Sequence, residues 1–307
     1  MAVSLADRLV VAIASSALFD LDAADRIFRE QGEEAYRKHQ REHENDVLPT
    51  GVAFPLIRRL LALNGESAAE QFVEVVLLSR NDPDTGLRVF NSIEHYGLPI
   101  SRAAFVKGRS PFAYMKGFDA SLFLSANEAD VRHAIERGLP AGRVFPTDFI
   151  DDEEELELRI AFDFDGIIAD DSAETVFKKS GLQTYHSTER EKAAQPLRAG
   201  PLQRFFSELA GLQVKDRLRT EQDASYLPRL RIAIVTARSA PAHKRVITTL
   251  RDWGIQVDEA FFLGGVGKAE ILREFRPHIF FDDQIGHIEG AARVAPSVHV
   301  PFGIANV

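Results

Sequence analysis

Four short stretches carry residues that could do chemistry together. Residues 159–171 read RIAFDFDGIIADD, an apolar run that ends in two aspartates, Asp163 and Asp165. Side chains alternate faces along a strand, so both carboxylates leave its end on the same side. Two carboxylates that close repel one another, and ionising both needs a cation. Gly166 permits the tight turn that follows. Residues 231–239, RIAIVTARS, end a second apolar run in the hydroxyl of Thr236. In GGVGKAEIL, residues 264–272, a glycine-rich turn delivers Lys268 to a helix start. HIFFDDQ, residues 278–284, ends a third run in Asp282 and Asp283. Open α/β sheets place their sites at such carboxyl ends of strands.

Those ends need a sheet to hold them. Short β-rich runs are expected at 9–14, 74–78, 104–107, 120–124, 159–162, 231–235, 260–263 and 278–281. Helical patterns lie between them, at 24–41, 87–96, 129–137 and 242–253. The alternation predicts an α/β protein with mainly parallel sheets. The second half also repeats the first. A shift of 149 positions lays Phe28 on Phe177, Gly32 on Gly181, Tyr36 on Tyr185 and Gly51 on Gly200. A shift of 157 then lays Arg88 on Arg245, Gly97 on Gly254, Gly108 on Gly265 and Phe123 on Phe280. Matched glycines and aromatics in one element order predict two tandem Rossmann-like domains from an internal duplication, residues 1–150 and 151–307. The acidic run at 148–157 between them reads as a solvated linker or a helix start. The string at 39–46 reads as a solvated helix end, and Trp253, Phe280 and Phe281 as core.

Bulk composition narrows the classes. The chain has 307 residues, 45% hydrophobic and 27% charged, as a folded soluble protein has. A net charge of −9 argues against a nucleic-acid polymer or an anionic membrane as partner, and leaves a small anion open. The absence of cysteine rules out disulfides, thiolate catalysis and thiolate-bound zinc. The apolar run at 10–19 has the length of a secretory signal core, but the repeat makes it the first strand of the first copy.

Asp-x-Asp, Thr, Lys and Asp-Asp, in that order and spacing, resemble the four motifs of the haloacid dehalogenase-like superfamily. The resemblance implies that Asp163, a backbone carbonyl at Asp165, and Asp282 or Asp283 hold Mg2+, a hard cation suited to oxygen ligands. It implies that Asp163 attacks phosphorus, that Asp165 protonates the leaving oxygen and later activates water, and that Thr236 and Lys268 stabilise the phosphoryl oxygens. An acid at Asp165 favours phosphoryl transfer over dehalogenation, because halide leaves without a proton. Roughly seventy residues separate Asp163 from Thr236, room for a small helical cap. Arg238 is expected either to contact the substrate's phosphate or ribose or to form a surface or interdomain salt bridge.

The whole chain resembles the cytosolic type I 5'-nucleotidases in a bacterial form. IASSALFDLD, REHENDVLPTGVAFPLIRRLLALN, FNSIEHYGLPI, PLRAGPLQRFFSELAGLQ, TLRDWGI and RPHIFFDDQ carry the likeness. It implies a cytoplasmic, Mg2+-dependent enzyme that hydrolyses AMP-like nucleoside 5'-monophosphates. A sugar phosphate as substrate and a non-catalytic nucleotide-binding regulator are the alternatives, and a homo-oligomer is left open. The repeat places Asp163 on Ala14, Asp165 on Ser16, Lys268 on Pro111, Asp282 on Ser125 and Asp283 on Ala126. Thr236 falls on Leu78 if Arg80 matches Arg238, or on Ser79 after one residue of slip. The first copy thus keeps no carboxylate for this chemistry. It is expected to serve as scaffold, association surface, substrate-recognition wall or effector pocket.

Overall fold

The computed structural model describes residues 5–306. In the first half, β1 (Leu9–Ile13) leads through α1 (Ser15–Leu18), α2 (Asp22–Glu42) and α3 (Phe54–Leu61) to β2 (Val73–Ser79). Then follow α4 (Leu87–His95), β3 (Arg102–Phe105), β4 (Leu122–Ser125), α5 (Glu128–Glu136) and β5 (Ala141–Phe145). The second half runs β6 (Leu158–Phe162), α6 (Ser172–Glu191), α7 (Gln203–Gln222), β7 (Leu230–Thr236), α8 (His243–Asp252) and β8 (Glu259–Phe262). It closes with α9 (Lys268–Phe275), β9 (Ile279–Asp282), α10 (Ile285–Ala291) and β10 (Ser297–His299).

All these strands form one sheet, in the order β3-β2-β1-β4-β5-β10-β9-β6-β7-β8. Each half contributes the same five-strand order, and the two meet where β5 and β10 pair antiparallel. Every other pairing is parallel. The expected α/β class and parallel strands therefore hold. The sheet runs continuously through both halves, because β5 and β10, absent from the sequence expectation, bridge it. The single antiparallel seam also reverses strand direction. The carboxyl ends of the first half's strands lie on the opposite margin of the sheet from those of the second.

One face of the sheet carries a core shared by both halves. Val11, Ile13 and Leu77 bury there with Ile160, Phe162 and Ile234, beneath α3 residues such as Leu56 and Leu60 and α7 residues such as Phe205 and Leu209. The other face carries two separate clusters, one around Ala12, Val76 and Phe123, the other around Ala161, Ala233 and Phe280. The apolar run at 10–19 is thus a buried inner strand followed by a short helix. Phe280 and Phe281 are core, as expected, and Trp253 packs against it.

The matched glycines share conformations. Gly32 breaks α2 with φ 85°, and Gly181 breaks α6 with φ 76°. A Cβ at Gly51 would sit 2.8 Å from the Ala17 carbonyl oxygen, and one at Gly200 would sit 2.4 Å from that of Ala169. Strand register also settles one alignment. Ile13 pairs with Leu77 as Phe162 pairs with Ile234, so Thr236 matches Ser79, and Arg238 matches Asn81 rather than Arg80.

The linker departs from expectation in part. Residues 152–154 are exposed, but Asp151 and Glu155 are not, and the segment forms no helix. Arg59 of α3, only 2% exposed, donates to the carbonyls of Asp152 and Glu155 and to Asp151 Oδ2 at 2.6, 3.1 and 3.0 Å. A buried guanidinium needs that many acceptors to offset its lost hydration. The string at 39–46 is likewise held, since Arg88 and Asn91 of α4 donate to the carbonyls of Asp46 and Glu44.

Candidate active site

The second half brings six of the expected residues to one margin. Asp163 and Asp165 follow β6, Thr236 ends β7, Lys268 opens α9, Asp282 ends β9 and Asp283 follows it. Asp163 is held in place by its backbone N–H, which donates to the Phe281 carbonyl at 2.8 Å. Lys268 Nζ lies 2.7 Å from Asp282 Oδ2 and 3.0 Å from Asp163 Oδ1. All three side chains are buried. His287 Nδ1, on α10, stands 3.2 Å from Asp282 Oδ2. Sequence reasoning missed His287, whose only signal was its place one turn after the acid pair.

Charge is unevenly compensated here. Burial opposes the Lys268 ammonium, but Asp163 and Asp282 outweigh it and hold the group charged. Burial likewise works against the Asp282 carboxylate, yet Lys268 and His287 keep its pKa below the ordinary value. Asp163 is pushed up to about 7, by burial first and then by Asp282 and Asp165. Asp283 fares worst. Neither of its oxygens has a hydrogen-bond partner. Burial, then Asp163, Asp282 and Glu174, push it up to about 10. Its main chain is fixed, because His299 Nε2 and Asn306 Nδ2 sit 3.0 and 2.9 Å from its carbonyl oxygen. Gly166, at φ 72°, makes room for it: a Cβ there would lie 2.5 Å from Asp283 Oδ2.

Asp163, Asp282 and Asp283 each offer an oxygen, all within 4.8 Å of one another. Three buried carboxylates with one ammonium, and two orphaned oxygens among them, fit a cation with oxygen preference. Thr236 Oγ1 accepts the backbone N–H of Arg238 at 3.2 Å, which leaves its own hydroxyl hydrogen to donate elsewhere.

Arg238 forms salt bridges buried within the second half, neither at the surface nor between the halves. Its Nε and Nη2 donate to Asp165 Oδ2 and Oδ1 at 2.6 and 2.7 Å, and Nη1 donates to Glu189 and to the Ala242 carbonyl. The guanidinium is buried and spent on these partners rather than offered to open space.

A mostly parallel, Rossmann-like sheet thus carries Asp-x-Asp, Thr, Lys and Asp-Asp at its carboxyl strand ends, where open α/β sheets place their sites. The model of one family, 5'-nucleotidase, matches residues 1–307. Human cytosolic 5'-nucleotidase 1B is 35% identical over 296 residues, 94% of this chain. The chain belongs to the 5'-nucleotidase family, in its cytosolic type I branch. It spans 48% of the length of that human relative. Among solved structures, a histidinol dehydrogenase from Elizabethkingia anophelis aligns over 94% of this chain and 79% of that one. Its TM-score of 0.22 at 8% identity bears on neither fold nor function. Among the described residues, no helix is long and apolar enough to cross a membrane.

Proposed function

We propose that the chain is a Mg2+-dependent phosphoric monoester hydrolase that converts AMP-like nucleoside 5'-monophosphates to nucleoside and phosphate. The observation that carries this reading is the buried set of Asp163, Asp283 and Lys268 at one sheet margin, in a chain of this family. Asp163 and Asp283, with the Asp165 carbonyl, would hold Mg2+. The engagement of Asp282 by Lys268 and His287 supports Asp283 as the freer ligand. Bound there, the ion supplies positive charge to the phosphate and relieves the repulsion that Asp163 meets as an anionic nucleophile.

Asp163 then attacks phosphorus as the ester P–O bond breaks, and Asp165 gives its proton to the departing oxygen. A water loses its proton to Asp165 as it attacks the aspartyl-phosphate, which releases phosphate and resets both carboxylates. Thr236 and Lys268 stabilise charge on the phosphoryl oxygens. We read residues 1–150 and 151–307 as duplicated domains, α6 as the cap, and the cytoplasm as the compartment. The repeated strand order and glycine conformations support the duplication.

The test is a phosphate-release screen over nucleoside monophosphates and sugar phosphates with Mg2+. Turnover of AMP-like substrates, abolished by Asp163→Asn, is expected. Preference for sugar phosphates would change the substrate class. Tight nucleotide binding without turnover would make the chain a regulator.

A further inference from the structure

Behind Asp165 runs a buried row of alternating charge: Asp165, Arg238, Glu189, Arg245. Its members come from the turn after β6, the loop after β7, α6 beyond its Gly181 break, and α8. Arg238 grips both oxygens of Asp165. Glu189 takes Arg238 on Oε2 and Arg245 Nη1 on Oε1, the latter at 2.8 Å. The Arg238 and Glu189 side chains are 2% and 1% exposed. Arg245 is anchored in turn, its Nε donating to the Gln195 carbonyl at 2.8 Å.

The first half is an internal control for what this row does. Register and shift place Ser16, Asn81, Gln40 and Arg88 at the four positions. Arg88 Nη1 still meets the side chain of the α2 residue, Gln40 Oε1, at 3.2 Å. Tyr36, which matches Tyr185, donates instead to Asn81 Oδ1 at 3.0 Å. The fold is therefore built with Gln in place of Glu189 and Asn in place of Arg238. The half without catalytic carboxylates has lost three of the four charges and keeps only Arg88, and the half with them has kept all four. A buried ion row is a weak source of stability compared with neutral replacements, so folding does not account for the difference.

We infer that Glu189, acting through Arg238, is a positioning residue that aims the Asp165 carboxyl at the leaving-group oxygen. The inference rests on the phosphohydrolase reading above. A guanidinium with one face tied to a buried carboxylate cannot swing, so Asp165 keeps one orientation. When Asp165 carries the proton, one of its oxygens stays on Arg238 and the other presents O–H to the leaving oxygen. That proton passes to the alkoxide as the P–O bond breaks, and Asp165 recovers one from the attacking water.

The test separates positioning from folding by leaving group. A nucleoside departs as an alkoxide and needs the proton. p-Nitrophenol is acidic enough to depart without it. Glu189→Gln, the residue the first half carries, is compared with wild type on AMP and p-nitrophenyl phosphate, with Mg2+ present. General-acid contributions of about 100-fold or more set the scale, so kcat on AMP is expected to fall about 30-fold while kcat on p-nitrophenyl phosphate falls less than about threefold. KM for AMP is expected to change less than about twofold, since Glu189 touches no substrate. Arg245→Gln, which loosens Glu189 from behind, is expected to give the same split at smaller amplitude. Equal losses on both substrates, or none on either, would overturn the inference in both variants. A wild-type chain that hydrolyses neither ester would instead mark failure of the phosphohydrolase reading.

Discussion

Asp283→Asn is expected to make the metal-free protein more stable and the enzyme inactive. The side chain is fully buried, and neither oxygen has a partner. Its carboxyl is raised from 3.8 to about 10, by burial and then by Asp163, Asp282 and Glu174. A carboxyl raised on folding contributes its full stability below the unfolded value. That contribution is lost as pH rises from about 4 towards 10. Between 3.8 and pH 7 lie about three units at 1.36 kcal/mol each, so the site costs about 4 kcal/mol at neutral pH. An amide is neutral without taking up a proton but remains a buried polar group, which leaves a net gain of about 2–3 kcal/mol. For a chain of 307 residues that is a rise of roughly 3–5 °C in Tm. The assay is thermal unfolding in chelator at pH 5, 6.5 and 8, repeated with Mg2+. The advantage of the variant should widen with pH, and Mg2+ should stabilise wild type but not the variant. A variant less stable than wild type in chelator at pH 8, or an advantage that narrows as pH rises, would refute the reasoning.

Gly166→Ala should cripple phosphate release, because its Cβ would lie 2.5 Å from Asp283 Oδ2 and the position has φ 72°; Mg2+ titration should show weakened binding. Lys268→Met should destabilise the fold by about 3–5 kcal/mol in chelator, since Asp163 and Asp282 lose their shared buried cation; urea unfolding measures it. Arg59→Met should cost about 3 kcal/mol in the same assay by orphaning the linker carbonyls and leaving Asp151 to Arg58 alone, with turnover per folded molecule retained. His278, its pKa lowered to about 3 by burial and then by Arg59 and Arg159, folds neutral. Stability should therefore drop as pH falls from about 6.5 towards 3, by about 2 kcal/mol at pH 5, and His278→Gln should flatten that slope in acid-unfolding curves.

The candidate site was legible because Asp163, Thr236 and Asp282 each close a strongly apolar run, and Lys268 follows a glycine-rich turn. Eight strand positions and the repeat followed from the same patterning. What escaped notice depends on partners far away in sequence. Ser297–His299 is a three-residue strand, too short for a period-two signal, and its pairing with β5 is set only in the folded sheet. Glu189 reads as one more acid in a charged helical stretch. Its burial arises because the helix resumes beyond Gly181 and turns that face onto Arg238 and Arg245. The linker misled for the opposite reason. Its acidity suggested solvent, while Arg58 and Arg59, from a helix that reads as amphipathic core, supply the cations.

The seam between β5 and β10 has a particular register. Arg143 pairs with His299, and these occupy the same position in their halves, Arg143 beside Ser125 of β4 and His299 beside Asp282 of β9. Val144 and Phe145 continue outward onto Val298 and Ser297. Such a pairing is self-complementary, the contact two identical subunits make across a two-fold axis. Within one chain that contact cannot be diluted apart, and each half is the other's permanent neighbour at high effective concentration. The first half thereby covers an edge of the second: without it, β10 would present an open strand to other molecules.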